Sequence, residues 1–153
     1  MRLVEPSYFT KQPHVIVNAA VEAVSPQQKA TNKAITDLID YYQDRFLRMV
    51  GVDEDTISDI KNDKEVEYSM GIESALRDAF GWFLFYQMNR VSNEYSSILG
   101  TFKYVSVSDE KVSPKRIQVA AWNAMVDELV RVCCEKSLIC DRNLVTKINT
   151  LNL

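Results

Sequence analysis

The stretch Phe80-Gly81-Trp82-Phe83-Leu84-Phe85-Tyr86-Gln87-Met88 decides how the rest of this chain is read. Five aromatic residues fall within seven positions, in a segment whose spacing is helical. Ile72, Leu76, Ala79, Phe80, Phe83, Leu84 and Met88 recur every three or four residues and form one buried stripe. Trp82, Phe85 and Tyr86 fall partly off it, so apolar residues occupy more of the circumference than one core contact covers. Either one core wraps all these rings, or some of them meet another subunit, where Trp, Tyr and Phe are enriched. The subunit boundary is the expectation, with Trp82 and Phe85 as its rings. Gly81 leaves a gap through which another helix approaches closely.

N-terminal to this stretch, Ser25-Pro26-Gln27-Gln28 is a helix start: an N-cap serine, a proline at the first helical position and a glutamine at the capping-box position. Ile35, Leu38, Ile39, Tyr42, Phe46, Met49 and Val50 then share a face, and Gly51 stops a helix of about 25 residues, about 37 Å long. Lys33, Asp37, Asp44 and Arg48 occupy the wetter side, with Asp44 and Arg48 placed as an i,i+4 pair. Asp53-Glu54-Asp55-Thr56 opens a short acidic helix with Ile57 and Ile60 inward. The central glycine and distal glutamate of a calcium loop are missing there, and acids at a helix start are explained by its dipole. Before Ser25, Pro6 and Pro13 interrupt any helix and Val15-Ile16-Val17 is too short to classify. Residues 1–24 are therefore read as an extended arm, flexible or docked on a neighbour.

On the C-terminal side, Leu99-Gly100 ends the aromatic helix, and Thr101-Phe102-Lys103-Tyr104-Val105-Ser106-Val107 has the composition of a β-strand. Phe102 and Tyr104 take one side of it. A lone strand is not stable, so it needs a hairpin partner or a sheet from another chain. Ser113-Pro114 repeats the cap-then-proline signal, and a third long helix carries Ile117, Ala120, Ala121, Ala124, Met125, Glu128, Leu129 and Val132 on one side. Its small residues suit close packing against the aromatic helix, while Trp122 lies off the alanine stripe as a further interface anchor. The tail 141–153 spaces Leu144, Val145, Ile148 and Leu151 among polar residues, as a short helix or an arm that orders on binding. The expected fold is mostly α: a small bundle of three long helices and a short one, an extended β segment or hairpin at about 101–107, and extended terminal arms. The helical domain spans 25–140, with an extended insertion at 93–113.

Composition narrows function. At 153 residues, 46% hydrophobic and 25% charged, the chain is expected to form one domain that folds without staples. No apolar run approaches the roughly 20 residues that span a bilayer. Met1 to Thr10 has neither the basic region nor the apolar core of a signal peptide, so a cytoplasm is the expected place of synthesis and no membrane partner is expected. Cys133, Cys134 and Cys140 lack Cys-x-x-Cys spacing and read as free thiols packed like small hydrophobes. A net charge of −3 disfavours nucleic acid as a specific partner. The nearest thing to a basic patch is Lys111, Lys115 and Arg116, mixed with Asp109 and Glu110. There is no Gly-rich phosphate loop and no nucleophile elbow. The one histidine, His14, lies in the arm, and Glu73, Asp78 and Glu128 sit at ordinary polar-face spacings. No catalytic residue, metal or cofactor is expected.

The order of these features is itself informative. A helix ending Ile39-Asp40-Tyr41-Tyr42-Gln43-Asp44-Arg45-Phe46-Leu47-Arg48-Met49-Val50-Gly51 precedes a short acidic element. Ala75-Leu76-Arg77-Asp78-Ala79-Phe80-Gly81-Trp82-Phe83-Leu84-Phe85-Tyr86 follows, then an extended stretch and Ser113-Pro114-Lys115-Arg116-Ile117-Gln118-Val119-Ala120-Ala121-Trp122-Asn123-Ala124-Met125-Val126. Over about residues 35–130 this resembles the small head–tail connector (adaptor, head-completion or neck-ring) proteins of tailed bacteriophages, notably those of Bacteroides-like hosts and crAss-like phages. Their leucine–leucine–glycine knuckle reads Met49-Val50-Gly51 here. The resemblance implies a mostly helical, non-catalytic virion subunit that assembles in the host cytoplasm into a ring, commonly of twelve copies. Its implied partners are the portal and neighbouring neck or tail proteins, with non-specific contact to packaged DNA in an extended channel. Trp82, Phe85, Phe102, Tyr104 and Trp122 are the expected subunit contacts. The rival expectation is an all-α oligomeric binding or regulatory module.

Overall fold

In the computed structural model, which describes residues 2–11, 13–16, 18–62, 70–94, 114–136 and 145–149, the first long helix begins where its cap signal lies. Helix α1 spans Pro26–Met49. The Ser25 hydroxyl accepts from the Gln28 backbone N–H at 3.2 Å, and the Gln28 side chain accepts from the Ser25 N–H at 3.0 Å. Gly51, at φ 83°, ends it in the left-handed conformation that costs a glycine nothing. Ile35, Ile39, Phe46 and Val50 are buried as the spacing predicts, and Leu47 joins them. Helix α2 spans Glu54–Lys61: the Asp53 carboxylate accepts from the Thr56 N–H at 2.8 Å, and Ile57 and Ile60 turn inward.

The expected Asp44–Arg48 pair gives way to two tertiary ones. The turn at Gly51 folds α2 back along α1. Arg48 reaches Glu54 at 2.6 Å, and Asp44 pairs with Lys61. The fork-shaped guanidinium of Arg48 donates two hydrogen bonds to the Glu54 carboxylate, at 2.6 and 3.1 Å.

Helix α3 spans Met70–Glu94 and α4 spans Pro114–Lys136. They run antiparallel, since Gln118 donates to the Asn89 carbonyl at 3.0 Å while Trp122 packs on Tyr86 further back along α3. On α3, Leu76, Ala79, Phe80, Phe83, Leu84 and Met88 are buried along the expected stripe, and Phe85 and Gln87 are buried too. The aromatic helix is thus the centre of the molecule: α1 covers it with Tyr42 and Phe46, and α4 with Met125, Val126 and Leu129. The alanine stripe of α4 needs one correction. Ala121 is buried, but Ala120 is exposed and Ala124 half-buried, because Val119, Met125, Val126 and Leu129 define the inward face.

The first residues do not behave as an extended arm. Pro6–Thr10 forms a 3-10 helix, and Leu3, Val4, Phe9 and Ile16 are buried in the same core as α1 and α3. The segment is also tied down by polar bonds. Leu3 donates its N–H to the buried Gln43 side chain at 2.7 Å, and Arg2 binds Asp40 through two bonds of 2.7 and 2.9 Å. That guanidinium holds the Asp40 carboxyl below its usual range. Asn18 turns the chain at φ 67°, a conformation that Asn adopts more readily than most residues. Asn32 of α1 then clamps both backbone groups of Ala20, at 3.1 and 2.8 Å.

Gly81 explains why this segment fits. A Cβ there would overlap the ring of Tyr8, so the gap anticipated for a helix receives a tyrosine from the N-terminal segment instead. Gly81→Ala is expected to push the Tyr8 ring outward and destabilise the protein by about 1–3 kcal/mol in urea denaturation, with α3 itself unharmed.

Among the described residues 72% are helical and none lies in a strand, which makes the fold mostly α. The expected β segment at 101–107 lies outside the described residues, as do Phe102, Tyr104 and Cys140. Cys133 and Cys134 fall on the last turns of α4, where only the backbone is described. The part of the tail that is described, residues 145–149, is neither helix nor free: it lies extended along α4. No helix among the described residues is long and apolar enough to cross a membrane.

Candidate functional site

Two places bring together the residues that carry chemistry. The first is a groove of about 940 Å³ where the N-terminal segment meets α3 and α4. Its lining includes Tyr8 and His14 from the segment, Arg77, Asp78 and Trp82 from α3, and Glu128 from α4. Helical spacing puts Asp78 and Trp82 one turn apart on α3, so both face the Tyr8 ring that Gly81 admits. The Tyr8 hydroxyl donates to Asp78 at 2.9 Å. Burial, then the carboxylate of Asp78, pushes the Tyr8 phenol well above its ordinary value, so it stays a donor at every physiological pH. His14 sits with its ring centre 4.0 Å from that of Trp82 and 5.2 Å from that of Tyr8. Burial lowers its pKa to about 4 although Asp78 pulls the other way, so the ring is neutral near pH 7.

Charges around the groove balance. Arg2, Lys11 and Arg77 face Glu5, Asp78 and Glu128, and several of these are already engaged. Arg2 holds Asp40, Arg77 donates to the Leu3 carbonyl at 3.2 Å, and Glu128 holds Arg131 at 2.6 Å. Among the described residues no three His, Cys, Asp or Glu side chains converge as a metal site would require. What the groove offers is a neutral imidazole and a phenol on an aromatic floor.

The second place is the outer side of α4. The indole N–H of Trp122 donates to the Thr146 carbonyl at 2.8 Å. Asn123 grips Ile148 through both backbone groups, its amide donating at 3.0 Å and its carbonyl accepting at 2.8 Å. Lys147 adds an ion pair to Asp127 at 2.5 Å, and Val145 is buried. Adjacent residues of one helix thus hold the chain's own tail through its backbone carbonyl and amide groups.

The expected interface residues therefore divide. Trp82 and Trp122 are half-buried, each at the edge of one of these two places. Phe85 is only 4% exposed and belongs to the interior of this chain. Phe102 and Tyr104 lie outside the described residues. Tyr8, His14 and Asn123 were not singled out by the sequence as contact residues, and only Gly81 signalled that something packs on α3 there. Comparison with protein-family models, with curated proteins and with solved structures finds no match to this chain.

Proposed function

We propose that this chain is a structural virion protein: a ring-forming head–tail connector subunit that docks to the portal, extends the DNA channel and joins the capsid to tail components. The observation that carries the reading is the order of elements over residues 35–130. A long helix stopped at Gly51, a short acidic helix, a central aromatic helix and a helix bearing Ala121-Trp122-Asn123 follow one another as the resemblance requires. Two further features support it. Half-buried Trp82 and Trp122 are amphipathic anchors at the surface, of the kind subunit contacts use. A heterologous ring contact also gives the 101–107 segment a strand partner. The proposed subunit is not an enzyme, takes no cofactor and acts within the virion neck. A modest negative charge suits a channel wall that DNA slides past.

The test is incorporation into particles. Trp122→Ala and Tyr104→Ala are expected to lower incorporation at least about tenfold, the loss of one or more contacts of about 1.4 kcal/mol per subunit pair, while the helical circular dichroism signal stays. Normal assembly of both variants overturns the assignment.

One observation favours the rival reading, an all-α oligomeric binding or regulatory module. Most rings of the Phe80–Tyr86 tract are covered by this chain's own α1, α4 and N-terminal segment, so the aromatic surplus does not by itself demand a partner. The partner of the 101–107 segment separates the two. A connector leaves that segment or the termini projecting from the helical body, whereas a self-contained module pairs and covers them; the described terminal residues, with Leu3, Val4, Phe9 and Ile16 in the core and 146–148 on α4, are covered.

A further inference from the structure

His14 is 5% exposed, and its Nε2 is buried with no hydrogen-bond partner among the described residues. Buried polar atoms are nearly always paired, and leaving one unpaired is unfavourable. The ring instead rests on carbon, 4.0 Å from Trp82, 5.2 Å from Tyr8 and 6.0 Å from Phe85 between ring centres. It is presented by a short loop pinned at both ends. Phe9 and Ile16 are buried, the Ile16 N–H donates to the Phe9 carbonyl at 2.9 Å, and the His14 N–H donates to the Lys11 carbonyl at 3.2 Å. A polar ring is thus held over an aromatic patch by anchors that do not depend on it.

We propose that His14 is a proton-operated plug: protonation drives its ring off Trp82 and Phe85 into the adjoining groove while Phe9 and Ile16 stay anchored, exposing the Trp82 ring to solvent. The neutral ring tolerates its apolar seat. The imidazolium brings a charge and an N–H at Nε2 that nothing among the described residues at that seat accepts. The charged groups around it come from three elements: Arg77 and Asp78 from α3, Glu128 from α4, and Arg2, Glu5 and Lys11 from the N-terminal segment, with the Tyr8 phenol beside them. Asp78 favours the cation but already accepts from Tyr8, and burial outweighs it. The adjoining groove of about 940 Å³ gives the displaced ring a wet space bordered by Asp78 and Glu128. The step is a proton transfer from water and a loop movement, with no covalent change. It does not depend on the connector reading.

The sign of the effect follows from the shift. The swung-out ring has the ordinary pKa of 6.5, and the seated ring titrates at about 4. The ratio of open to seated states is therefore nearly flat above pH 7 and rises as pH falls, by about sixty-fold between pH 7 and 4.5. The probe is acrylamide quenching of Trp82 fluorescence in a Trp122→Phe background. The expected result is a quenching constant that rises about twofold or more from pH 7 to 4.5 with far-UV circular dichroism unchanged. His14→Phe, which keeps a ring but takes no proton, and His14→Gln as a smaller neutral replacement should show no rise. A constant that stays flat in the parent, rises equally in both variants, or rises only together with loss of helical signal overturns the proposal.

Discussion

Phe80→Ala is expected to remove about 3–5 kcal/mol of stability, a large share of the roughly 5–15 kcal/mol that holds a typical domain together. Phe80 is fully buried on the central helix, with its ring 5.0 Å from Phe46 of α1 and 6.4 Å from Phe83. Those rings are themselves fixed: Phe46 also meets Phe83 at 5.5 Å, and Tyr42 closes on Phe83 at 5.8 Å. A cavity walled by aromatic rings from two helices collapses poorly, so the cavity cost adds to the lost burial. Urea denaturation followed by circular dichroism measures it, and the midpoint should fall with little change in slope. A loss below about 1 kcal/mol would show that α1 and α3 do not meet through this cluster.

Phe9→Ala is expected to cost a similar amount, about 3–5 kcal/mol. For a residue in a loose arm the expected cost is within about 0.5 kcal/mol, so the result separates the two descriptions cleanly. Phe9 is 0% exposed, and its carbonyl accepts from Ile16 so that the segment closes on itself over α3. Tyr8 beside it makes an edge contact with Phe9 at 5.4 Å and occupies the notch at Gly81. Removing the Phe9 ring should therefore also loosen Tyr8 and raise hydrogen exchange in residues 2–16 before α1 is affected.

These two sites mark how far the sequence could be read. Helix α1 was legible at both ends because its signals are local: Ser25, Pro26 and Gln28 act within one turn, and Gly51 acts on its own φ. The inward stripe of α3 was legible because its period is that of a helix. The N-terminal segment was not, because Leu3, Val4, Phe9 and Ile16 follow no period, and their burial is decided by surfaces on α1 and α3 far away in the chain. Arg48 shows the same limit in miniature, since the local partner Asp44 lost to Glu54 once α2 folded back. Gly81 announced a close approach without naming the residue that makes it. Of the candidate sites, Trp82 and Trp122 were visible as rings off a helical stripe. The roles of His14 and Asn123 depend on what lies opposite them, which no spacing encodes.

The groove and the backbone-reading side of α4 bear differently on function. Trp122 and Asn123 hold an extended segment through its carbonyl and amide groups, contacts that are indifferent to side-chain identity. In this chain that surface is occupied by residues 146–148 of its own tail. The groove instead places a neutral imidazole on Trp82, the contact on which the proposed proton-operated plug rests.

The central claim is that this chain builds a ring on a portal, and oligomeric state tests it most directly. Mass photometry of the purified chain, alone and mixed with the neighbouring portal and neck proteins, followed by cryo-electron microscopy of the mixture, is the measurement. The account predicts a closed ring of identical subunits seated on the portal, with Trp82 or Trp122 at the boundary between neighbours. A stable lone monomer that never joins a portal would contradict it.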